Sequence, residues 1–471
     1  MTGAIDEVRR PNVVLINCDD LGYGDLGCYG SPLNKTPTLD QLATDGLRFD
    51  SFYMASPVCS PSRGALLTGC YPPRIGFGSF DGLPVLFPGQ AIGLPDTEIS
   101  LGALLSSAGY RTQMIGKWHC GDQMAFLPTN HGFDHYLGLP YSNDMGRQAY
   151  PTSGPFAPIE GQEPFQPNPL PLLSDGEVIE EQPDQASLTE RYVVEAVRFL
   201  RDARNDPFFL YLAHLYVHVP IYVQERFAHQ SDNGSYGAAV ESIDWATEVI
   251  LHELSALGLA DDTIVIFTSD NGSRAVDGGS NLPLRGTKST TWEGGMRVPC
   301  IVRWPGHVEP GRVTAEVATS MDLYPTLAGL CRATLPTDRT IDGCDIAPLL
   351  LDDDATSPHD AFFYYWMNDL EAVRVGRWKL HYAKHGSLAT ALYDLDTDPG
   401  ESTDVAGANP DVIAAIEVHA ERARASLGDA LRGRTGNDVR PIGRVEHAVT
   451  LTTYNPDHPY YLAEYDLTDR G

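Results

Sequence analysis

Carboxylates follow two apolar segments of the chain, at positions where a metal ion could be held. Asp19 and Asp20 end one β-rich run, and Asp270 and Asn271 end another much later in the chain. Open α/β sheets bind ligands beyond the carboxyl ends of their strands, so we expect these side chains to converge. Three carboxylates would repel one another without a cation between them, and all-oxygen ligands suit Ca²⁺ or Mg²⁺ rather than zinc. Taken singly, each pair also fits a helix cap or a turn.

Cys59 begins a segment in which a nucleophile lies beside a cation. Pro61 suits the first turn of a helix, which puts Cys59 at or just before the helix amino terminus, where the dipole stabilises negative charge. Arg63 follows four residues later and shares a helix face with Cys59. The arrangement favours attack by residue 59 on an anionic group. The alternative is an inert buried thiol, the usual state of a lone cysteine.

A cation and a histidine also occur together at Lys117 and His119. In an extended run these two side chains point to one side and Trp118 to the other. A positive charge and a titratable imidazole would then face one pocket. The alternative is a surface lysine beside a packed histidine.

Two further segments carry histidine or lysine near a buried strand or a glycine-rich loop. His214 and His218 follow the apolar run at residues 207–212, and one of them could contact a ligand while the other is structural. Lys288 lies in a loop rich in glycine that continues to Glu293. Glycines and cations in one loop suit a backbone that approaches an anion.

The elements that must position these residues alternate between strand and helix. Apolar, β-rich runs predict buried strands at residues 12–17, 111–115, 207–212 and 263–268. Helical periodicity is found at residues 38–45, 97–108, 188–204 and 236–257. This alternation predicts an α/β domain with a mainly parallel sheet. The proline-rich stretch 151–183 predicts a loop at the mouth of the site.

The pattern of predicted strands and helices changes after about residue 350. Antiparallel strands are predicted at residues 362–366, 371–375, 378–382 and 391–395, followed by a packing helix at 413–427. We therefore predict a catalytic domain over residues 1–350 and a smaller C-terminal subdomain over residues 351–471. The tail after Arg432 has no clear pattern.

The charge balance restricts the partners. The formal net charge is −30, from 63 acidic and 33 basic residues, which argues against nucleic acid and anionic membranes. No run of about 18 apolar residues predicts a transmembrane helix. The first ten residues carry no apolar leader, so the sequence as given predicts a cytoplasmic protein. A secreted or lysosomal location would require that a leader has been removed.

The segment Cys59-Ser60-Pro61-Ser62-Arg63 resembles the C-x-P-S-R signature of the type I, formylglycine-dependent sulfatases. Five further motifs of that family occur in order: Asp19-Asp20, Gly116-Lys117-Trp118-His119, His218-x-Pro220, Ser269-Asp270-Asn271-Gly272, and Lys288 before Glu293-Gly294-Gly295. The segment from Gly138 to Asp144 is similar to the arylsulfatase A and N-acetylgalactosamine-6-sulfatase branch. The resemblance covers roughly residues 11–400, with Cys120 where the family usually has leucine. It implies an alkaline-phosphatase-like fold, with a large mixed, mainly parallel sheet sandwiched by helices and a smaller subdomain of antiparallel sheet plus helix.

The resemblance also implies a metal site and a modified nucleophile. One divalent cation, usually Ca²⁺ with Mg²⁺ as the alternative, would be bound by Asp19, Asp20, Asp270 and Asn271. A maturation enzyme of the host would oxidise Cys59 to formylglycine, and one oxygen of the hydrated aldehyde would lie near the metal. The metal and nearby cations would lower the pKa of that hydroxyl and favour its attack on sulfur.

The other roles that the resemblance implies fall on six side chains: Arg63 and Lys117 orient the nucleophile, Ser142, His218 and Lys288 contact the sulfate, and His119 deprotonates the second hydroxyl. The last step would release inorganic sulfate and restore the aldehyde. Either Lys288 or His218 would assist the leaving alcohol.

The sequence therefore predicts a sulfatase that hydrolyses small aryl or sugar sulfate monoesters to an alcohol and inorganic sulfate. One alternative is a phosphonate monoester or phosphodiester hydrolase that uses the same site. An alternative of another class is an inactive anion-binding protein in which Cys59 is unmodified. The sequence predicts no particular oligomeric state.

Overall fold

The computed structural model of the protein describes residues 10–149, 167–228, 231–384, 386–460 and 463–464. The α-helices within these ranges are α1 (Pro37–Thr44), α2 (Cys59–Thr68), α3 (Leu101–Ser107), α4 (Leu188–Ala203), α5 (Glu225–Ala228), α6 (Gly234–Ala256), α7 (Glu293–Met296), α8 (Leu323–Cys331), α9 (Ala347–Leu351) and α10 (Pro410–Ser426). The strands are β1 (Asn12–Cys18), β2 (Leu47–Tyr53), β3 (Ile92–Gly93), β4 (Arg111–Gly116), β5 (His135–Gly138), β6 (Gln148–Ala149), β7 (Pro171–Ser174), β8 (Glu177–Glu181), β9 (Phe208–Ala213), β10 (Thr263–Ser269), β11 (Arg297–Arg303), β12 (Arg312–Thr314), β13 (Ala318–Thr319), β14 (Phe362–Trp366), β15 (Asp369–Val375), β16 (Trp378–Lys384), β17 (Ser387–Asp394), β18 (Gly428–Asp429), β19 (Arg434–Thr435), β20 (Gly443–Arg444) and β21 (Ala463–Glu464).

An 11-stranded sheet forms the centre of the described structure, in the order β12-β2-β11-β10-β1-β9-β4-β5-β7-β8, with β13 also paired to β2. The strands β10, β1, β9, β4 and β5 are parallel to one another, whereas β11 is antiparallel to both β10 and β2. Every residue of β1 and of β10 is buried, because helices cover both faces of the sheet. Burial on both faces explains why these strands are continuous apolar runs.

Alternate residues of β1 contribute to two hydrophobic cores on opposite faces of the sheet. Val13 and Leu15 belong to the core that includes residues of α2, α3 and α8. Val14 and Ile16 belong to the core that includes residues of α4 and α6. The alternation follows from the two-residue period of a strand. Within the described ranges, every helix is too short or too polar to cross a bilayer.

The C-terminal subdomain is a four-stranded antiparallel sheet, β14-β15-β16-β17, against which α10 packs. Its apolar residues share one core with the catalytic part, since Tyr53 and Tyr71 contact Phe362 at ring-centroid distances of 5.0 and 6.1 Å. The predicted fold class is therefore confirmed. The boundary between residues 350 and 351 stays a prediction.

Three details differ from the expectations. The helix predicted at residues 97–108 begins only at Leu101, because the Ser100 hydroxyl accepts a hydrogen bond from the Ala103 backbone and caps it there. The predicted loop 151–183 contains the hairpin β7–β8 at the edge of the main sheet, and residues 151–166 of it lie outside the described residues. The tail after Arg432 is not without structure, since β20 pairs with β3.

Candidate active site

The predicted carboxylates converge at the carboxyl ends of two adjacent parallel strands. In the register of β1 with β10, Cys18 lies opposite Ser269, so Asp19 and Asp270 leave the sheet side by side. Carboxylate oxygens of Asp19, Asp20 and Asp270 lie within 4.8 Å of one another, and all three side chains are buried. Asp20 has a left-handed φ of 60°, which turns the chain tightly at this point.

The atoms of this cluster fit a hard cation. The Asn271 side-chain amide donates to Asp20 Oδ1 at 2.7 Å and to the Gly272 carbonyl at 3.0 Å, which fixes the orientation of the amide. Asn271 Oδ1 and Asp19 Oδ1 are buried and have no hydrogen-bond partner. Burial, together with the charge of Asp19, raises the pKa of Asp270 to about 7. A cation among these oxygens would satisfy the unpaired atoms and relieve the repulsion between the carboxylates.

Two buried cations, Arg63 and Lys117, contact the carboxylates of this cluster. The Arg63 guanidinium donates to Asp270 Oδ2 through Nε at 2.8 Å and to the Lys117 carbonyl through Nη1 at 2.7 Å. The Lys117 ammonium is hydrogen-bonded to Asp19 Oδ2 and donates to the Ser142 hydroxyl at 3.1 Å. Arg63 and Lys117 are fully buried, so their charges act at low dielectric.

Cys59 is the first residue of α2, as the sequence predicted. Val58, the residue before the helix, is extended, and Gly69 ends the helix with a left-handed φ of 68°. The Cys59 side chain is buried, and burial raises the pKa of its thiol against the opposing effect of Lys117 and Lys288. Residue 59 therefore lies at the amino terminus of a helix, within the electrostatic influence of Lys117, Lys288, Asp19 and Asp270.

His119 offers an unpaired basic nitrogen. Its Nε2 is 2.9 Å from the Leu86 carbonyl, so this nitrogen carries the proton, while Nδ1 is buried without a hydrogen-bond partner. Burial and, next in size, the charge of Lys117 lower the pKa of His119 well below its usual range. The imidazole is therefore neutral, with a free lone pair at Nδ1.

Lys288 and His218 approach the carboxylates from two other loops. Lys288 Nζ donates to Asp20 Oδ2 at 2.8 Å, and His218 Nε2 lies 3.9 Å from the same oxygen. His218 Nδ1 is 2.5 Å from the Val219 carbonyl, which orients the ring. The Lys288 side chain is 13% exposed and the His218 side chain 8%, so both lie at the rim of an otherwise buried site.

Comparison with known proteins assigns the family. A model of the sulfatase family matches residues 11–333, and a model described as the C-terminal region of N-sulphoglucosamine sulphohydrolase matches residues 287–424. Human arylsulfatase A is 42% identical over 446 residues, which cover 87% of each chain. The chain belongs to the sulfatase family. It hydrolyses sulfate esters, as the sequence predicted.

Two further relatives resemble this sulfatase. Human N-acetylgalactosamine-6-sulfatase is 41% identical over 397 residues, which cover 81% of this chain and 73% of the relative. The crystal structure of the PsFucS1 sulfatase from Pseudoalteromonas sp. superposes with a TM-score of 0.76 and 28% identity, over 92% of each chain. The predicted family is therefore confirmed.

The sulfatase brings every residue of the predicted constellation to one end of the sheet, although the assigned roles stay predictions. His214 is the exception among the candidates, since it lies outside the cluster. It is buried, and burial lowers its pKa to about 4, which fits the structural alternative for this histidine.

Sequence reasoning missed two supports of the site. The Leu86 carbonyl orients His119, and the Leu86 amide donates to the Ser60 hydroxyl at 3.1 Å. Buried charges of the C-terminal subdomain contact the loop that carries Lys288, through Lys379 and Glu401. A backbone carbonyl has no sequence signal. A lysine within the predicted strand 378–382 was the only signal for the second support.

Proposed function

We propose that this sulfatase cleaves small aryl or sugar sulfate monoesters with formylglycine derived from Cys59 and one divalent cation. A single observation carries the proposal: Asp19 Oδ1 and Asn271 Oδ1 are buried acceptors without partners, in a cluster of carboxylates near residue 59. Buried polar atoms are almost always paired in proteins. Unpaired oxygens in such a cluster are therefore best explained by a cation that they bind.

The ligands we assign to the cation are Asp19, Asp20, Asp270 and Asn271, with an oxygen of modified residue 59 completing the set. Oxygen ligands of this kind suit Ca²⁺, and Mg²⁺ is the alternative. When bound, the ion supplies Lewis-acid polarisation of an oxygen atom.

The charges of the chain itself are balanced around the site. Three carboxylates are opposed by three cations: Arg63, Lys117 and Lys288. A divalent ion would leave a net positive site, which is complementary to the charge of sulfate. Pre-oriented positive groups stabilise charge that develops in the transition state, because they need no reorganisation during the reaction.

His119 is assigned the role of the base. Its Nδ1 lone pair is free and its Nε2–H is held by the Leu86 carbonyl, so only Nδ1 can accept a proton. We assign to it the proton of the second hydroxyl of hydrated residue 59. Removing this proton lets sulfate leave and restores the aldehyde.

The sulfate oxygens are assigned to Lys288, His218 and Ser142. Lys288 Nζ and His218 Nε2 both point towards Asp20 Oδ2, and the Ser142 hydroxyl accepts a hydrogen bond from Lys117. Their polar atoms therefore lie beside the carboxylate cluster and Lys117. Lys288 or His218 donates the proton to the leaving alcohol.

The partners of the protein are assigned by the same reasoning. The substrate is a small sulfate ester, since a chain with a net charge of −30 repels long polyanions. A formylglycine-generating enzyme of the host is the second partner, because residue 59 is encoded as cysteine.

The deciding experiment measures the mass of the peptide that contains residue 59, together with kcat/KM on an aryl sulfate. We expect a mass about 18 Da below that of the cysteine peptide, which is the change from thiol to aldehyde. Cys59→Ala should abolish turnover, while Cys28→Ala, which changes a half-buried cysteine outside the site, should leave it unchanged. An intact thiol in fully active enzyme would contradict the proposal.

A side-by-side assay of an aryl sulfate and an aryl phosphonate monoester tests the phosphonate alternative. We expect the larger kcat/KM on the sulfate. The reverse ranking would assign the site to phosphonate or phosphodiester hydrolysis. An unmodified Cys59 with sulfate binding but no turnover would favour the inactive anion-binding protein.

A further inference from the structure

The loop that carries Lys288 has little regular structure of its own. Residues 285–292 contain no helix or strand, and Ser289 has a left-handed φ of 67°. A lysine side chain is a flexible four-carbon stem. Lys288 Nζ therefore keeps its position, 2.8 Å from Asp20 Oδ2, only if the backbone of the loop is held by its surroundings.

Two residues of the C-terminal subdomain hold this loop at both ends. Lys379 Nζ donates to the Thr291 carbonyl at 2.8 Å and to Glu293 Oε1 at 3.0 Å. Glu401 Oε2 accepts the Glu293 amide at 2.8 Å, and the Glu401 carbonyl accepts Arg285 Nη1 at 2.8 Å. The start and the end of the loop are thus both tied to the C-terminal subdomain, through Lys379 in β16 and Glu401 in the segment after β17.

The charged groups that hold the end of the loop are fully buried, whereas Arg285 at its start is exposed. Lys379, Glu293 and Glu401 are each 0% exposed, and Lys379 Nζ also lies 3.0 Å from Glu401 Oε1. In such an environment, removing one charge leaves the others unpaired, so the loop must move or admit water. Trp292 adds an apolar tie, since its ring packs on that of His381 with centroids 4.6 Å apart.

We propose that Lys379 and Glu401 are positioning residues, which fix this loop so that Lys288 reaches the sulfate. The inference rests on the proposed role of Lys288 as a sulfate contact. The two residues themselves contact Thr291 and Glu293. The C-terminal subdomain then contributes to catalysis indirectly, because it holds the backbone of the loop that carries Lys288.

The test compares Lys379→Met and Glu401→Gln with Arg422→Gln in the full-length protein. Arg422 forms a bidentate pair with Asp360, at 2.9 and 2.8 Å, in the same subdomain and away from the loop. Glu401→Gln is nearly isosteric, so it decides the matter if the methionine variant does not fold. Formylglycine content is measured for each protein, so that rates refer to modified enzyme.

Three measurements are made: kcat and KM for an aryl sulfate, the inhibition constant of inorganic sulfate, and hydrogen exchange of the peptide 284–293. We expect kcat/KM to fall about 100-fold in the first two variants, as for misplacement of a catalytic group by an ångström. KM and the inhibition constant of sulfate should rise, and the peptide should exchange faster. Arg422→Gln should leave all three unchanged.

A role in folding alone predicts a different pattern. It lowers the fraction of active enzyme and therefore kcat, while KM and the inhibition constant of sulfate stay constant. That pattern, or unchanged exchange of the loop in Glu401→Gln, would overturn the inference. If Lys288→Ala leaves sulfate inhibition unchanged while the loop still exchanges faster in Glu401→Gln, the proposed sulfate contact fails and the positioning of the loop stands.

Discussion

Two buried ionic clusters of this sulfatase use the same residue types but differ in how completely their atoms are paired. The cluster at the ends of β1 and β10 contains three buried acceptor atoms without a hydrogen-bond partner: Asp19 Oδ1, Asn271 Oδ1 and His119 Nδ1. In the cluster between α7 and the small sheet, the Glu293 carboxylate accepts hydrogen bonds from Tyr53, Tyr364 and Lys379.

The pKa values of Asp270 and Glu293 differ in the same way, although at Asp19 burial is outweighed by Lys117 and other cations, which lower its pKa. Burial and the charge of Asp19 raise the pKa of Asp270 to about 7, whereas Lys379 and two arginines outweigh burial and lower the pKa of Glu293 to about 2. A buried carboxylate with a raised pKa indicates a place where a cationic ligand could bind. A buried carboxylate whose charge is compensated by neighbouring cations indicates a structural role. For the carboxylates of the two clusters, hydrogen-bond pairing therefore separates the site from its support, although His381 Nδ1 in the second cluster is also without a hydrogen-bond partner.

The largest effect that this comparison predicts is for His119→Gln. The glutamine amide can still donate to the Leu86 carbonyl, but it provides no base at the position of Nδ1. We expect kcat/KM to fall about 10³-fold, or about 4 kcal/mol, with little change in the thermal midpoint.

His214→Gln is the matched control, since His214 is also a buried neutral histidine but lies outside the cluster. Its kcat/KM should stay within a few-fold of the wild type. His214 Nε2 is also buried without a hydrogen-bond partner, so the two variants differ in position and not in pairing. Equal losses of activity would mean that the place of His119 beside the carboxylates has no special effect.

A substitution in the second cluster, between α7 and the small sheet, should lower the free energy of unfolding. Lys379→Met leaves Glu293 and Glu401 buried without their shared cation, so we expect a loss of about 3 kcal/mol in the free energy of unfolding, measured with urea. His119→Gln should lose much less than this. A smaller loss for Lys379→Met than for His119→Gln would reverse the proposed roles of the two clusters.

Much of the main sheet and of the site could be predicted from sequence, because both depend on local patterns. The run before Asp19 and the run before Asp270 are buried at every position and apolar at their centres, and parallel pairing brings their ends together. Pro61 places the helix start at Cys59. The motifs that mark these positions also carry the family resemblance.

The remaining features depend on contacts between distant segments. The capped start of α3 at Leu101 was missed because sequence pattern indicates that a helix exists better than it indicates the bounds of the helix. The hairpin β7–β8 was missed because its two strands are short and lie in a proline-rich stretch. The pairing of β20 with β3 joins segments with no shared signal. The ties from Lys379 and Glu401 to the Lys288 loop were also not predictable, since sequence does not indicate which buried charges meet.

The affinity for Ca²⁺ tests the cluster at the ends of β1 and β10, and the expected effect is smaller than those above. Asn271→Ala removes one unpaired oxygen and the amide that orients Asp20, so Ca²⁺ affinity should fall about 30-fold, or about 2 kcal/mol. Raising the Ca²⁺ concentration should restore activity. Isothermal titration calorimetry measures the affinity.

The matched variant is Asn271→Asp, which keeps an oxygen at this position. It should retain the binding of Ca²⁺ that the alanine variant loses. Unaltered affinity in Asn271→Ala would mean that the unpaired oxygen is not a ligand, and the contrast between the two clusters would lose its chemical basis.

The smallest expected effect concerns an ion pair outside both clusters, formed by His359 and Asp322. His359 Nε2 lies 2.9 and 2.8 Å from the two oxygens of Asp322, and the His359 side chain is 9% exposed. Burial opposes protonation, but Asp322, with a contribution from Asp360, raises the pKa of His359 above its usual value.

The sign of the pH dependence follows from the raised pKa. The pair stabilises the fold fully below the unfolded-state pKa of about 6.5, and this stabilisation is lost as the pH rises through the folded-state pKa. We expect the wild type to lose about 1 kcal/mol more unfolding free energy than His359→Gln between about pH 6 and pH 9. Urea unfolding at both pH values measures the difference. Equal pH dependence in the two proteins would mean that the charge of His359 does not contribute to the free energy of unfolding. In that case, only fully buried ion pairs would stabilise this fold.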